Sequence, residues 1–181
     1  MTLRFRVTAE DLLTNQLYYA STSERIRKKR KRNRIMVPLF YLIIAAISFT
    51  LAQPFLSIAF LVIGVLWYLF YPLRERRIYI RHFRNYVAER MKDVNDQYAT
   101  FQITDGHIIG QDGSTEIKMA TSEILRIVEL PTLILLRLKG GQSIIFPKAQ
   151  LENIDIVRDR LKALADKMNV RYEPEPDWVW K

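Results

Sequence analysis

Residues 35–73 read IMVPLFYLIIAAISFTLAQPFLSIAFLVIGVLWYLFYPL. These thirty-nine consecutive positions hold no Lys, Arg, Asp, Glu or His. As one straight helix they would run ~58 Å, about twice the ~30 Å hydrocarbon core of a bilayer. The stretch is too long for one span and close to right for two. Gln53-Pro54 stands almost at its middle. Proline cannot donate to the residue four before it and pushes its predecessor out of the helical region, so this dipeptide is the natural break. The expected architecture is a transmembrane helical hairpin, with spans over 35–52 and 55–73.

A buried hairpin inside a soluble fold is the alternative. Nine of the seventeen residues Met36–Ala52 are Leu, Ile, Val or Phe, and eleven of Phe55–Tyr71. At roughly −0.3 to −0.6 kcal/mol each on the insertion scale, either segment favours the bilayer by several kcal/mol. Besides Gln53, only Ser48, Thr50 and Ser57 are strongly polar, and hydroxyls are expected to bond back to their own helix. Trp67, Tyr68 and Tyr71 fall near the end of the second span, where a membrane interface favours rings. A cleaved signal peptide fits poorly, because the apolar stretch starts late and is too long.

The flanks set the orientation. Before the hairpin stand Arg25, Arg27, Lys28, Lys29, Arg30, Lys31, Arg32 and Arg34; after it stand Arg74, Arg76, Arg77, Arg81 and Arg84. Basic residues stay on the cytoplasmic side, and a two-span hairpin puts both ends on one side. Both termini are therefore expected in the cytoplasm, with little beyond Gln53-Pro54 outside. Of the net charge of +9, residues 1–34 carry +7, residues 74–92 carry +5 and residues 93–181 carry −3. A pI of 9.8 for the whole chain would suggest nucleic acid. With the positive excess all beside the apolar stretch, the partner is instead expected to be a bilayer with anionic headgroups, at roughly 1 kcal/mol per basic residue near the surface. Arg27–Arg32 also has the look of a nuclear-localisation or RNA-binding patch, but it runs directly into a span.

Ahead of the hairpin, residues 1–34 are expected to form a strand, a helix and a polybasic segment. Leu3, Phe5 and Val7 alternate with Arg4 and Arg6, and Thr8 and Asp11 can open a helix over about Ala9–Ala20 carrying Leu12, Leu13, Leu17 and Tyr18. Residues 74–97 are expected as an amphipathic basic connector, with Phe83, Val87, Met91 and Val94 on one face. From Tyr98 the period becomes two. Expected strands are Tyr98–Thr104, His107–Gln111, Thr115–Met119, Leu125–Leu130, Thr132–Leu138 and Ser143–Phe146, with turns at Asp105-Gly106, Asp112-Gly113 and Gly140-Gly141. Leu151, Ile154, Val157, Leu161, Leu164 and Met168 mark a closing helix. The fold class is membrane α+β: a two-span hairpin plus a small antiparallel sheet or open barrel over 98–170, with the Phe5 strand available to close an edge. Residues 171–181 are expected as an extended tail, either disordered or docking Trp178 and Trp180 on a membrane interface or on the sheet.

The opening Phe5-Arg6-Val7-Thr8-Ala9-Glu10-Asp11, the basic stretch, the paired span, and a sheet carrying Ser122-Glu123-Ile124, Val128-Glu129 and Ile144-Ile145-Phe146-Pro147-Lys148 follow one another in an order that resembles the YcxB-like family of bacterial membrane proteins. The resemblance implies a pleckstrin-homology-like C-terminal domain and brings no reaction and no catalytic residues. Met119-Ala120-Thr121 stands where that family often has a Trp.

No cofactor, metal or catalytic residue is expected. There is no cysteine, His82 and His107 lack partners at ligand spacing, and no G-x-S-x-G, H-E-x-x-H or phosphate-loop pattern occurs. Spans without an ionisable residue argue against an ion path. Two function classes follow. The first is a membrane-anchored interaction module that docks a protein or a lipid headgroup. The second is a membrane-bound enzyme, or a regulatory subunit of one, acting through residues outside the known motifs. For a headgroup site on the β-rich part, Lys118, Lys139 and Lys148 would have to converge.

Overall fold

A computed structural model describes residues 2–91, 98–104, 106–112 and 115–180. The chain divides into two units, one formed by Met1–Asn15 and Arg84–Val179, the other by Gln16–Phe83 and Trp180–Lys181.

The second unit is built on two long helices. Helix α1 (Ala9–Thr22) leads through Ser23 to α2 (Glu24–Thr50), and α3 (Pro54–Met91) follows. Thr8 opens α1 by a reciprocal capping box: its Oγ1 accepts from Asp11 N–H at 3.2 Å, and Asp11 Oδ2 accepts from Thr8 N–H at 2.8 Å. The polybasic segment is not a separate linker, because α2 runs unbroken from Glu24 through Arg34 into the apolar stretch. The expected break is present. Ala52 takes φ 57°, and Gln53 N–H reaches back to Ser48 C=O at 3.0 Å, which closes the end of α2. Pro54 then occupies the first position of α3, where its missing N–H leaves no helical bond unmade.

The connector helix expected over 74–97 is helical through Met91 and is continuous with the apolar segment, α3 running through Pro72 as one helix. Pro38 likewise lies inside α2. Each removes one backbone hydrogen bond without ending its helix. Residues 92–97, together with Asp105 and Gly113 of the two Asp-Gly turns, lie outside the described residues.

Small residues bring α2 and α3 together. Ala45, Ser48 and Ser57 are buried. The Ser57 hydroxyl donates to Ala45 C=O at 2.8 Å, so it bonds across to the other helix rather than to its own, whereas Thr50 bonds back to Ile47 as expected. A Cβ on Gly64 would lie 3.5 Å from Tyr41 Cβ, so the two backbones approach closely at that level. The outward faces remain apolar and uncovered. Phe49 is 70% exposed and Phe55 86% exposed, and only 11% of the most apolar window of either helix is buried. Both helices are long and apolar enough to cross a membrane.

The first unit holds two four-stranded sheets, in orders β1-β2-β3-β4 and β7-β6-β5-β8. The strands are β1 (Thr2–Phe5), β2 (Ala99–Ile103), β3 (His107–Asp112), β4 (Thr115–Ala120), β5 (Ile124–Glu129), β6 (Leu133–Leu138), β7 (Ser143–Pro147) and β8 (Arg171–Pro174), with helix α4 (Ile154–Lys167) between the last two. All neighbours are antiparallel except β5 and β8, which run parallel. The single bent sheet is thus resolved into two sheets. The Phe5 strand does return to an edge, pairing Phe5 with Ala99 and Leu3 with Phe101. Hence α1, α2 and α3 are inserted between two strands that are neighbours in the sheet.

Phe5 is fully buried and joins the two sheets. Its ring stacks on Phe101 at 5.5 Å and meets Phe146 of β7 edge-on at 5.2 Å. Around these rings, Ile108, Ile127, Ile134, Leu136, Val157 and Leu161 complete the core. Gly110 is required beneath Phe101, since a Cβ there would come within 2.6 Å of the ring. Asn153 caps α4 by accepting from Ile156 N–H at 3.2 Å. The buried stripe Val157, Leu161, Leu164 of α4 follows the expected spacing. The tail is corrected at its start: Arg171–Pro174 is a strand, tied to β5 by an Arg126–Glu173 ion pair of 2.7 Å.

Candidate functional site: the basic end of the helical hairpin

Helical spacing sorts the basic cluster before α2 onto separate faces. Arg27, Lys28, Lys31 and Arg34 recur at intervals of one and three, and with Arg30 they line a cleft of about 660 Å³ closed by Tyr71, Pro72 and Glu75 of α3. Glu75 is buried at its centre. Arg30 Nε donates to one carboxylate oxygen at 2.8 Å and the Tyr71 hydroxyl donates to the other at 3.0 Å. Glu24, at the rim, pairs with Lys28 at 2.7 Å. That pair is exposed and contributes little to stability. The Arg34 guanidinium lies 4.3 Å above the Tyr68 ring, and its Nε is buried with no hydrogen-bond partner.

A second cleft of about 630 Å³ opens on the other side of Glu75, lined by Lys29, Trp67, Arg74, Tyr79 and His82 among others. Arg74 sits 5.4 Å over the Trp67 ring. Trp180 is 6% exposed and packs 5.7 Å from Tyr79, with the Arg30 guanidinium 5.0 Å over its ring. The tail's final ring is therefore held by a cation and a phenol rather than disordered, while Trp178 is half-buried elsewhere. Of the expected basic residues, Arg25, Arg32, Arg76 and Arg77 are exposed and line neither cleft. Gln53 and Pro54, the break, are at the opposite end of the two helices.

In the first unit, the most concentrated polar arrangement surrounds Glu129, the last residue of β5. Arg158 of α4 donates to both carboxylate oxygens, Nε at 3.1 Å to each and the second guanidinium nitrogen at 2.9 Å to Oε1. Lys148 Nζ lies 2.8 Å from Oε1, and the Tyr172 hydroxyl of β8 donates to Oε2. Burial by itself would raise the Glu129 carboxyl, but the bonds from Arg158, Lys148 and Tyr172 outweigh it and hold it at about 2. Burial and the neighbouring carboxylate push the Tyr172 hydroxyl up. A permanently ionised, fully bonded carboxylate is a poor acid or base at neutral pH, so this cluster ties strand to helix. It also commits Lys148, while Lys118 and Lys139 are exposed on other elements.

A groove runs beside the closing helix. Ile103 and Thr104 face Arg160, Leu161, Leu164 and Lys167 across about 270 Å³. Neither Glu75 nor Glu129 stands in a motif that marks it for these roles. Their signal is a lone carboxylate, one inside an arginine run and one ending an apolar strand, where burial without a cation would be prohibitive.

Residues 103–159 match the family model described as YcxB-like protein. The match runs from the end of β2 into α4 and contains Glu129, Lys148 and Arg158. No curated protein and no solved structure matches the chain.

Proposed function

We propose that this chain, with its YcxB-like domain, is a multi-pass protein of the cell's inner membrane. It crosses the bilayer twice by α2 and α3, keeps both termini cytoplasmic, and offers its β-rich unit as a docking module for a protein partner. The observation that carries this reading is the uncovered apolar surface of two paired helices, whose basic residues all lie toward one end. An apolar belt of that extent is unfavourable in water and favourable in lipid, and the positive-inside rule assigns basic ends such as these to the cytoplasmic side.

The two sheets and closing helix are consistent with a pleckstrin-homology-like domain in a bacterial protein. A protein ligand is favoured over a headgroup for that unit because residues 93–181 carry a net charge of −3 and three of their cations already hold carboxylates. Lys148 and Arg158 hold Glu129, and Arg126 holds Glu173. The groove beside α4 and the edge strands β4 and β7 are the surfaces available for docking.

The test is topological. A reporter active only outside the cytoplasm should be silent when fused after Lys181 and active when inserted at Gln53. Activity at the C-terminus overturns the hairpin orientation, and release of the protein from membranes by alkaline carbonate overturns integral insertion.

A further inference from the structure

We propose that the cleft formed by Arg27, Lys28, Arg30, Lys31 and Arg34 with Tyr71 and Glu75 binds the phosphate of an anionic phospholipid. The inference rests on the membrane reading above and adds a specific site and ligand class to it.

The charge of the cleft is unbalanced. Five cations line it against two carboxylates, and both carboxylates are already engaged, Glu24 by Lys28 and Glu75 by Arg30 and Tyr71. Among the described residues, Arg27 and Lys31 have no carboxylate partner. Arg34 keeps a buried Nε–H without an acceptor. Buried donors nearly always find one, and a phosphate oxygen is the natural match for a guanidinium. Among the described residues, no further anionic group completes the cleft.

The level of the cleft selects a lipid over a soluble anion. Its stripe on α2 ends at Arg34, and the uncharged stretch begins at Ile35. On α3, the uncharged stretch ends at Leu73, and Glu75 stands two residues beyond it, held by Tyr71 from one turn before. A ligand with its phosphate at Arg34 would therefore have its acyl chains beside Met36, Leu39 and Phe40, all exposed. Inorganic phosphate or a nucleotide makes no use of that surface. A volume of about 660 Å³ lies in the ordinary range for a ligand site. Glu75 acts as a brace, fixing Arg30, while among the described residues Arg27, Lys31 and Arg34 face the ligand without a counter-ion.

Diffuse attraction between a basic segment and an acidic membrane is the competing account, and it predicts a different result. The full chain, in bilayer discs of mixed phosphatidylglycerol and phosphatidylcholine, would be extracted and its retained lipid identified by native mass spectrometry. The double variant R27Q/K31Q and the double variant R76Q/R77Q remove the same charge, the first inside the cleft and the second outside it. We expect preference for phosphatidylglycerol to fall about tenfold or more in R27Q/K31Q, as the loss of two charge-assisted contacts to one phosphate implies, and to change less than about twofold in R76Q/R77Q. Equal losses in the two variants overturn the site. Arg34→Lys keeps the charge but removes the guanidinium fork, and it too should lose the preference; it serves if R27Q/K31Q does not fold. Thermal stabilisation by inorganic phosphate equal to that by the lipid would assign the cleft to a soluble anion and overturn the lipid claim. A protein that stays in carbonate-washed membranes yet shows no lipid preference refutes this inference alone, whereas release by carbonate refutes the membrane reading.

Discussion

The carboxamide of Gln150 holds both backbone groups of Arg6, 144 positions away in the chain. Arg6 N–H donates to Oε1 at 2.7 Å, and Nε2 donates to the Arg6 carbonyl at 2.6 Å. Only one orientation of the amide satisfies both bonds. Gln150 stands in the short 3-10 turn after β7, and Arg6 directly follows β1. The contact therefore fixes the end of a four-residue edge strand that has one neighbour, β2. Together with the Phe5 ring in the core, it explains how so short a strand stays paired.

Gln150→Ala should accordingly free β1 while leaving the remaining strands in place. Two bonds to partly buried backbone groups are together worth about 1–3 kcal/mol. Hydrogen exchange should accelerate at Leu3–Arg6 well before it does at Ile134–Leu136. Gln150→Glu keeps the acceptor but loses the donor, and it should be intermediate. Unchanged exchange at Leu3–Arg6 in Gln150→Ala would show that the Phe5 packing suffices.

Glu129 predicts a pH dependence. Its folded value of about 2 lies below the ordinary 4.5, so its stabilisation is complete above pH 4.5 and disappears as pH falls toward 2. A shift of this size corresponds to about 3 kcal/mol. The thermal midpoint of the first unit should drop across that window. In Glu129→Gln the drop should be smaller, starting from a midpoint already lowered at neutral pH because Lys148 and Arg158 lose their counter-charge. An equally steep acid loss in the variant would locate the sensitive carboxylate elsewhere.

Gly110→Ala tests the close approach beneath Phe101. The added Cβ would sit 2.6 Å from a ring that also packs against Phe5 and Phe146. The ring cannot move aside without disturbing both, so destabilisation of about 1–3 kcal/mol is expected. Pairing the change with Phe101→Leu should recover part of it, and no recovery would mean that the backbone, not the ring, sets the limit.

Trp180 can be observed directly. With Trp67 and Trp178 changed to Phe, the remaining fluorescence should be blue-shifted and protected from aqueous quenchers, because Trp180 is 6% exposed against Tyr79 and Arg30. A chain retaining only Trp178 should be the more accessible of the two. Water-like emission from Trp180 would contradict the packing described above.

The long helices, the six strands after Tyr98 and the closing helix were legible because each rests on a local pattern. An uncharged run, a period of two between turn residues, or apolar positions three and four apart needs no knowledge of distant neighbours. β8 escaped for the opposite reason. Arg171-Tyr172-Glu173-Pro174 has little intrinsic strand character, and it becomes a strand by lying along β5, where Arg126 meets Glu173. The border expected between span and connector follows the onset of charge at Arg74, which by itself ends no helix, and α3 carries Pro72 inside it and runs on to Met91. A helix tolerates one missing bond when its flanking turns are intact.

What the sequence by itself determined is the linear part of this protein: where the apolar hairpin lies, where it turns at Gln53-Pro54, which segments carry the positive charge, and where the strands alternate. Those properties depend on side-chain type and order alone. Only the tertiary structure decided which charges are used and which are left. Glu129 finds Arg158 29 positions away and Tyr172 43 positions away, and Glu75 finds Arg30 45 positions away. Each pairing is selected by the cost of burying a charge without a partner, which is set by neighbours in space rather than in sequence. Among the described residues, the same selection leaves Arg27 and Lys31 without a carboxylate and the Arg34 Nε without an acceptor at the end of the apolar belt, a distinction that no count of basic residues along the chain could reveal.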